Sequence, residues 1–100
     1  MTEEAKESGV RNNASANRFE IEVDGELAVS NYTMRGNAIY FIHTEVPPSM
    51  EGHGIGNTLA RASLDYAREH NLRVVPRCPF ISAFIERHDE FQALVDADRE

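Results

Sequence analysis

The amino-acid sequence predicts an α/β (α+β) fold: a single compact domain with a mixed sheet, antiparallel N-terminal strands, a parallel crossover and two main helices. Three observations predict it. Alternating apolar and polar residues flank Asp24-Gly25, the period changes from 2 to 3.6 across a proline- and glycine-rich stretch near residue 50, and a short β-branched run follows the helical segment. One hundred residues, 41% of them apolar and 27% charged, leave room for one such unit.

Residues 1–17 mix Glu, Lys, Ser, Asn and small residues with neither period and read as a disordered tail, which leaves 18–100 as the folded domain. From Arg18, Phe19, Ile21 and Val23 alternate with acidic residues, and Asp24-Gly25 suits the positive φ angles of a tight hairpin. The second strand carries Leu27 and Val29, then Tyr32 and Met34, a parity change that predicts a bulge near Ser30-Asn31. After the reversal at Arg35-Gly36-Asn37, residues 38–46 form a nearly continuous apolar run, expected as the middle of the sheet and covered on both faces.

Pro47-Pro48 ends that strand, and 49–56 reads as loop. Asn57 to His70 places Ala60, Leu64 and Ala67 on one helical stripe, and Leu72 to Pro76 is a short strand, parallel to 38–46 through a right-handed crossover. Beyond Arg77-Cys78-Pro79, the residues Phe80, Ile81, Phe84 and Ile85 have helical spacing, and Phe91, Leu94 and Val95 add a last apolar segment.

Composition narrows the function classes. A net charge of -7 opposes a phosphate backbone, so nucleic acid is not the expected partner. Cys78 is the single cysteine, which excludes an internal disulfide, and the four histidines have no zinc spacing. No run approaches the roughly 18 apolar residues of a membrane helix, and residues 2–17 lack the features of a secretory signal, so a cytoplasmic protein without a membrane partner is expected.

Gly52-x-Gly54-x-Gly56 lies between a strand and a helix, where unpaired backbone amides and the helix dipole favour an anion. A dinucleotide fingerprint would need glycine where Asn57 stands, and no Gly-Lys-Ser/Thr of a P-loop is present. Cys78, before a proline suited to the first helical position, stands either at a helix cap beside Arg77 as a reactive thiol or as a small buried filler.

HTEVPP at 43–48, EGHGIGNTLARASLDYARE at 51–69 and VVPRCPFISAFIERH at 74–88 together resemble the GNAT superfamily of acyl-CoA N-acyltransferases, most closely its minimal YjdJ-like branch, over roughly residues 19–95. The loop of the wider superfamily reads Arg/Gln-x-x-Gly-x-Gly/Ala; here Glu51 replaces the cation or amide. The resemblance implies an acetyl-CoA-dependent enzyme that acetylates an unidentified amine. Coenzyme A is then held through its diphosphate by Gly52, His53, Gly54, Ile55, Gly56, Asn57 and Thr58, with its pantetheine arm along the strand ending at Val46. It also implies that Cys78 stands near the thioester, and it favours His43 over Glu45 for proton transfer; Tyr40 and Tyr66 are expected in the core, and Arg61 on a solvated helix face. The alternatives are a CoA-binding module without efficient turnover and a small interaction domain whose glycines only form turns.

Overall fold

In the computed structural model, residues 2–4 and 9–96 are described. Six strands, β1 (Thr2–Glu4), β2 (Arg11–Asn13), β3 (Arg18–Val23), β4 (Glu26–Arg35), β5 (Ala38–Glu45) and β6 (Arg73–Pro76), form one sheet in chain order. The first five pair antiparallel and β6 joins β5 parallel, as the crossover predicts. Helix α1 (Ile55–Glu69) makes that crossover, and α2 (Pro79–Glu86) follows β6. The β3–β4 hairpin turns on Asp24 and Gly25, with φ 53° and 82°; these left-handed angles match the twist of the strands they join.

The main core lies between one sheet face and the helices. Phe19, Ile21, Tyr32, Ile39 and Phe41 meet Leu59, Ala60, Leu64 and Ala67 of α1 and Ile81, Phe84 and Ile85 of α2. Tyr66 packs edge-on to Phe19 at 5.3 Å. A final 3-10 turn, Asp89–Leu94, buries Phe91 and leads Val95 to a parallel bridge with Val74.

Four expectations are corrected. The disordered tail does not extend over residues 9–17: Val10 is fully buried, β2 pairs with β3, and Asn12 accepts a 2.6 Å hydrogen bond from the Tyr32 hydroxyl. Arg11, Asn13 and Arg18 converge on the Glu20 carboxylate at 3.0, 2.9 and 2.6 Å. One valine and paired polar groups, together with the open hydrogen-bonding edge of β3, hold a segment whose composition alone looks unfoldable. Residues 1 and 5–8 of that expected tail lie outside the described residues.

The register shifts between Asn31 and Tyr32, close to the expected point, but the extra residue sits on the partner strand. Ala28, Ser30 and Tyr32 are buried in unbroken alternation, whereas Asn31 faces His43 and Tyr32 faces Phe41, so Ile42 is the extra residue. β5 is an inner strand but the fifth of six, and helices cover only one of its faces. On the other, Ala38, Tyr40 and Val75 form a small cluster with the Arg35 and Arg77 guanidinium groups 5.2 and 5.9 Å from the Tyr40 ring centre. Finally, α1 begins at Ile55, two residues before the expected start, because Gly54 serves as its N-cap.

Candidate functional site

The bulge at Ile42 inverts the facing of everything after it on β5. Thr44 lies opposite buried Ser30 on the core side, while exposed His43 and Glu45 lie on the other. β5 and β6 stay paired only as far as Phe41 and Pro76; beyond that point the Cys78 amide donates to the Phe41 carbonyl at 2.8 Å and the chain turns into α2. A groove opens where the strands part.

The other wall is the loop into α1. Pro48–Met50 forms a 3-10 turn, closed by the Met50 amide on the Pro47 carbonyl at 2.9 Å, and buried Met50 anchors it to the core. Gly52 and Gly54 then adopt φ 85° and 75°, angles that a side chain disfavours. Gly54 carries no capping side chain, and its carbonyl accepts the Thr58 amide at 2.9 Å. The amides of Ile55, Gly56 and Asn57 belong to the first helical turn, which has no intrahelical acceptors for them. They make the positive end of a fifteen-residue helix dipole.

Gly56 has a different reason for being glycine. A Cβ there would stand 2.8 Å from Cζ of Phe80. The ring, 37% exposed on the first turn of α2, packs against the start of α1 and joins the two helices along the groove.

The resulting groove, of ≈ 720 Å³, is lined by His43, Thr44, Glu45 and Val46 from the strand end, by Met50, Glu51, Gly52, Gly54, Ile55, Gly56 and Asn57 from the loop and helix start, and by Phe80. That volume suits a small-molecule ligand. Among the described residues its lining carries two carboxylates, Glu45 and Glu51, and neither lysine nor arginine. An anion there meets backbone N–H dipoles, not side-chain cations.

Seven of the expected site residues therefore meet in one groove: His43, Val46, Gly52, Gly54, Ile55, Gly56 and Asn57. His53 is exposed in the loop outside the lining, and Thr58 is half-buried one turn into α1 with its amide already paired. Cys78 is 2% exposed and is not a lining residue; its Sγ lies 3.4 Å from Oγ1 of Thr44, which is. Cys78 is the N-cap of α2, as the following proline predicts.

Sequence reasoning missed Thr44, Ser30, Met50 and Phe80. The proximity of Phe80 to the glycine loop had a signal, the third glycine beyond those the turn requires. The pairing of Ser30 with Thr44 had none, because the parity change that predicts a bulge does not show that its extra residue lies on β5, in an uninterrupted apolar run.

A family model described as GCN5-related N-acetyl-transferase matches residues 18–94. Protein NATD1 of Bos taurus is 35% identical over 74 residues, which cover 71% of this chain and 66% of that protein. Protein NATD1 of Mus musculus is 30% identical over 82 residues, covering 79% and 74%. The NMR solution structure of a GCN5-like protein from Staphylococcus aureus matches with a TM-score of 0.65 at 32% identity, over 80% of this chain and 81% of that one.

Proposed function

Because the chain belongs to the GCN5-related N-acetyltransferases, we propose that it transfers an acetyl group from acetyl-CoA to an amine. The observation that carries this reading is the start of α1, which has no side-chain cap and whose amides open onto a groove shared with the end of β5. A diphosphate fits such a helix start, since positive backbone dipoles meet it and the glycine N-cap lets it approach. Gly52, Gly54, Ile55, Gly56 and Asn57 hold the diphosphate in this reading, with His53 and Thr58 at its edge, and Val46 flanks the pantetheine arm.

When bound, acetyl-CoA supplies an acyl group activated as a thioester. His43, exposed on the groove wall, accepts the proton that the amine nitrogen sheds as its bond to the acyl carbon forms. The C–S bond breaks in the same transfer, and its electron pair leaves on sulfur. Cys78 serves the step from behind Thr44. The cysteine at the turn after β6 also supports the minimal YjdJ-like branch. We extend the proposal to one catalytic domain that includes the docked residues 9–17, a cytoplasmic setting, and a small-molecule cofactor in place of nucleic-acid or membrane partners, consistent with the net charge of -7. Among the described residues no helix is long and apolar enough to cross a membrane.

One observation favours a second reading, a CoA-binding module without efficient turnover: the thiol expected beside the thioester is 2% exposed. Calorimetric titration with CoA tests the cofactor, and mass spectrometry of primary amines incubated with acetyl-CoA and protein separates the two readings. Acetylated amine supports the enzyme; tight CoA binding with no acetylated product supports the module.

A further inference from the structure

We propose that the Thr44 hydroxyl, not the Cys78 sulfur, meets the reacting thioester and donates a hydrogen bond to its carbonyl oxygen, while Cys78 and Ser30 are positioning residues that hold Thr44. This role rests on the acetyl-CoA reading above. Thr44 lines the groove, whereas Cys78 and Ser30 are buried beneath it. Its Oγ1 lies 3.4 Å from Cys78 Sγ and donates to Ser30 Oγ at 3.5 Å. Thr44 is thus a lining hydroxyl held from below by two buried polar groups on other elements.

The backbone fixes this arrangement. Cys78 is tied through its amide to the Phe41 carbonyl at 2.8 Å and through its carbonyl to the Ser82 amide at 3.0 Å. The extra residue Ile42 turns Thr44 to the core side and leaves His43 on the opposite face. A base and a hydroxyl donor therefore reach the groove from adjacent positions on different faces.

The hydrogen bonding suits a donor that must be released. With the Cys78 thiol donating to Thr44 Oγ1, the threonine proton is engaged only by the long contact to Ser30, at the outer limit of a hydrogen bond. An oxygen gaining negative charge is a stronger acceptor than that distant hydroxyl. The proton stays on Thr44 throughout, so no bond of the threonine breaks.

The test uses acetyl-CoA labelled with ¹³C at the acetyl carbonyl, added to the full chain, with the bound carbonyl resonance read by NMR. A hydrogen bond from Thr44 moves it downfield of the free value in the wild type and in Thr44→Ser, and Thr44→Val loses that shift while still binding acetyl-CoA. Transfer to a primary amine then falls about 100-fold in Thr44→Val, the loss typical of removing one such donor. A carbonyl shift equal in wild type and Thr44→Val, or no shift in the wild-type complex, overturns the role. Should Thr44→Val fail to fold, Thr44→Ala is read in its place. A wild-type chain that does not bind acetyl-CoA fails at the earlier step, and it is the cofactor reading that then falls.

Discussion

The missing side chain of Gly56 is filled by the ring of Phe80, whose Cζ would lie 2.8 Å from a Cβ at that position. Of three glycines spaced alike in the sequence, two serve backbone conformation and the third serves contact between two helices. Gly56→Ala therefore meets the far edge of a part-exposed ring, which can yield. The expected result is a folded protein, with the helix-propensity gain of about 1 kcal/mol offsetting part of the strain, and a groove altered where Phe80 is displaced. Circular dichroism and CoA titration check this: a near-wild-type melting temperature with several-fold weaker binding is expected.

At Gly54 the same reasoning gives a different cost. A Cβ there meets nothing within 4 Å, but φ is 75°. Gly54→Val is expected to lose about 1–2 kcal/mol of stability from the left-handed backbone alone, and to abolish CoA binding by moving the first amides of α1. Urea unfolding with calorimetry checks both; unaltered affinity in a folded variant places the ligand elsewhere.

Glu51 departs from the cation or amide of the wider family and lines the groove. Glu51→Gln removes a negative charge beside the proposed diphosphate site, and is expected to tighten CoA binding by about 2- to 5-fold at low salt, the scale of a single charge near a helix terminus. The gain shrinks as salt screens it. Calorimetry at two ionic strengths reads the effect, and equal affinities for both proteins at low salt contradict it.

Glu20 makes stability pH-dependent. Burial alone raises its carboxyl pKa, but hydrogen bonds from Asn13, Arg18 and Arg11 outweigh this, aided by the charge of Arg18, and hold it below the ordinary glutamate value. A lowered folded-state pKa gives stability that is fully present above the unfolded-state value and is lost as pH falls through the folded one. Glu20→Gln is expected to cost about 1–3 kcal/mol at pH 7, the scale of a hydrogen-bonded charge left without its partner. The difference from wild type should narrow toward acid pH. Urea unfolding at pH 7 and under acid conditions measures it, and a constant difference contradicts the account.

Cys78→Ala removes the 3.4 Å contact to Thr44. It is expected to keep CoA affinity and lose most of the transfer rate, since the sulfur lies behind the groove lining. Steady-state kinetics and titration separate these; unchanged turnover reduces Cys78 to packing.

Much of this was legible in the residues. Asp24-Gly25 announces its hairpin because few dipeptides accept two successive positive φ angles, and the glycine loop announces a tight strand-to-helix turn for the same conformational reason. The order of strands β3 to β6 follows from periodicity and Pro47. What was hidden depends on partners distant in sequence. The parity change in β4 predicts a bulge beside Ser30, but a run as uniformly apolar as 38–42 has no alternation to show that its extra residue is Ile42, which turns Thr44 inward onto Ser30. Residues 9–17 lack a periodic pattern because their docking relies on Val10 and on polar groups matched to Glu20 and Tyr32.

In the proposed mode of binding, the first amides of α1 grip the diphosphate of coenzyme A. The most direct measurement is an NMR titration of the ¹⁵N-labelled chain with CoA, following each backbone amide. Saturable shifts concentrated at Gly54, Ile55, Gly56 and Asn57 and running to the end of β5 are expected. Amides there that stay in place at saturating CoA, or shifts confined to another face of the sheet, contradict that mode of binding.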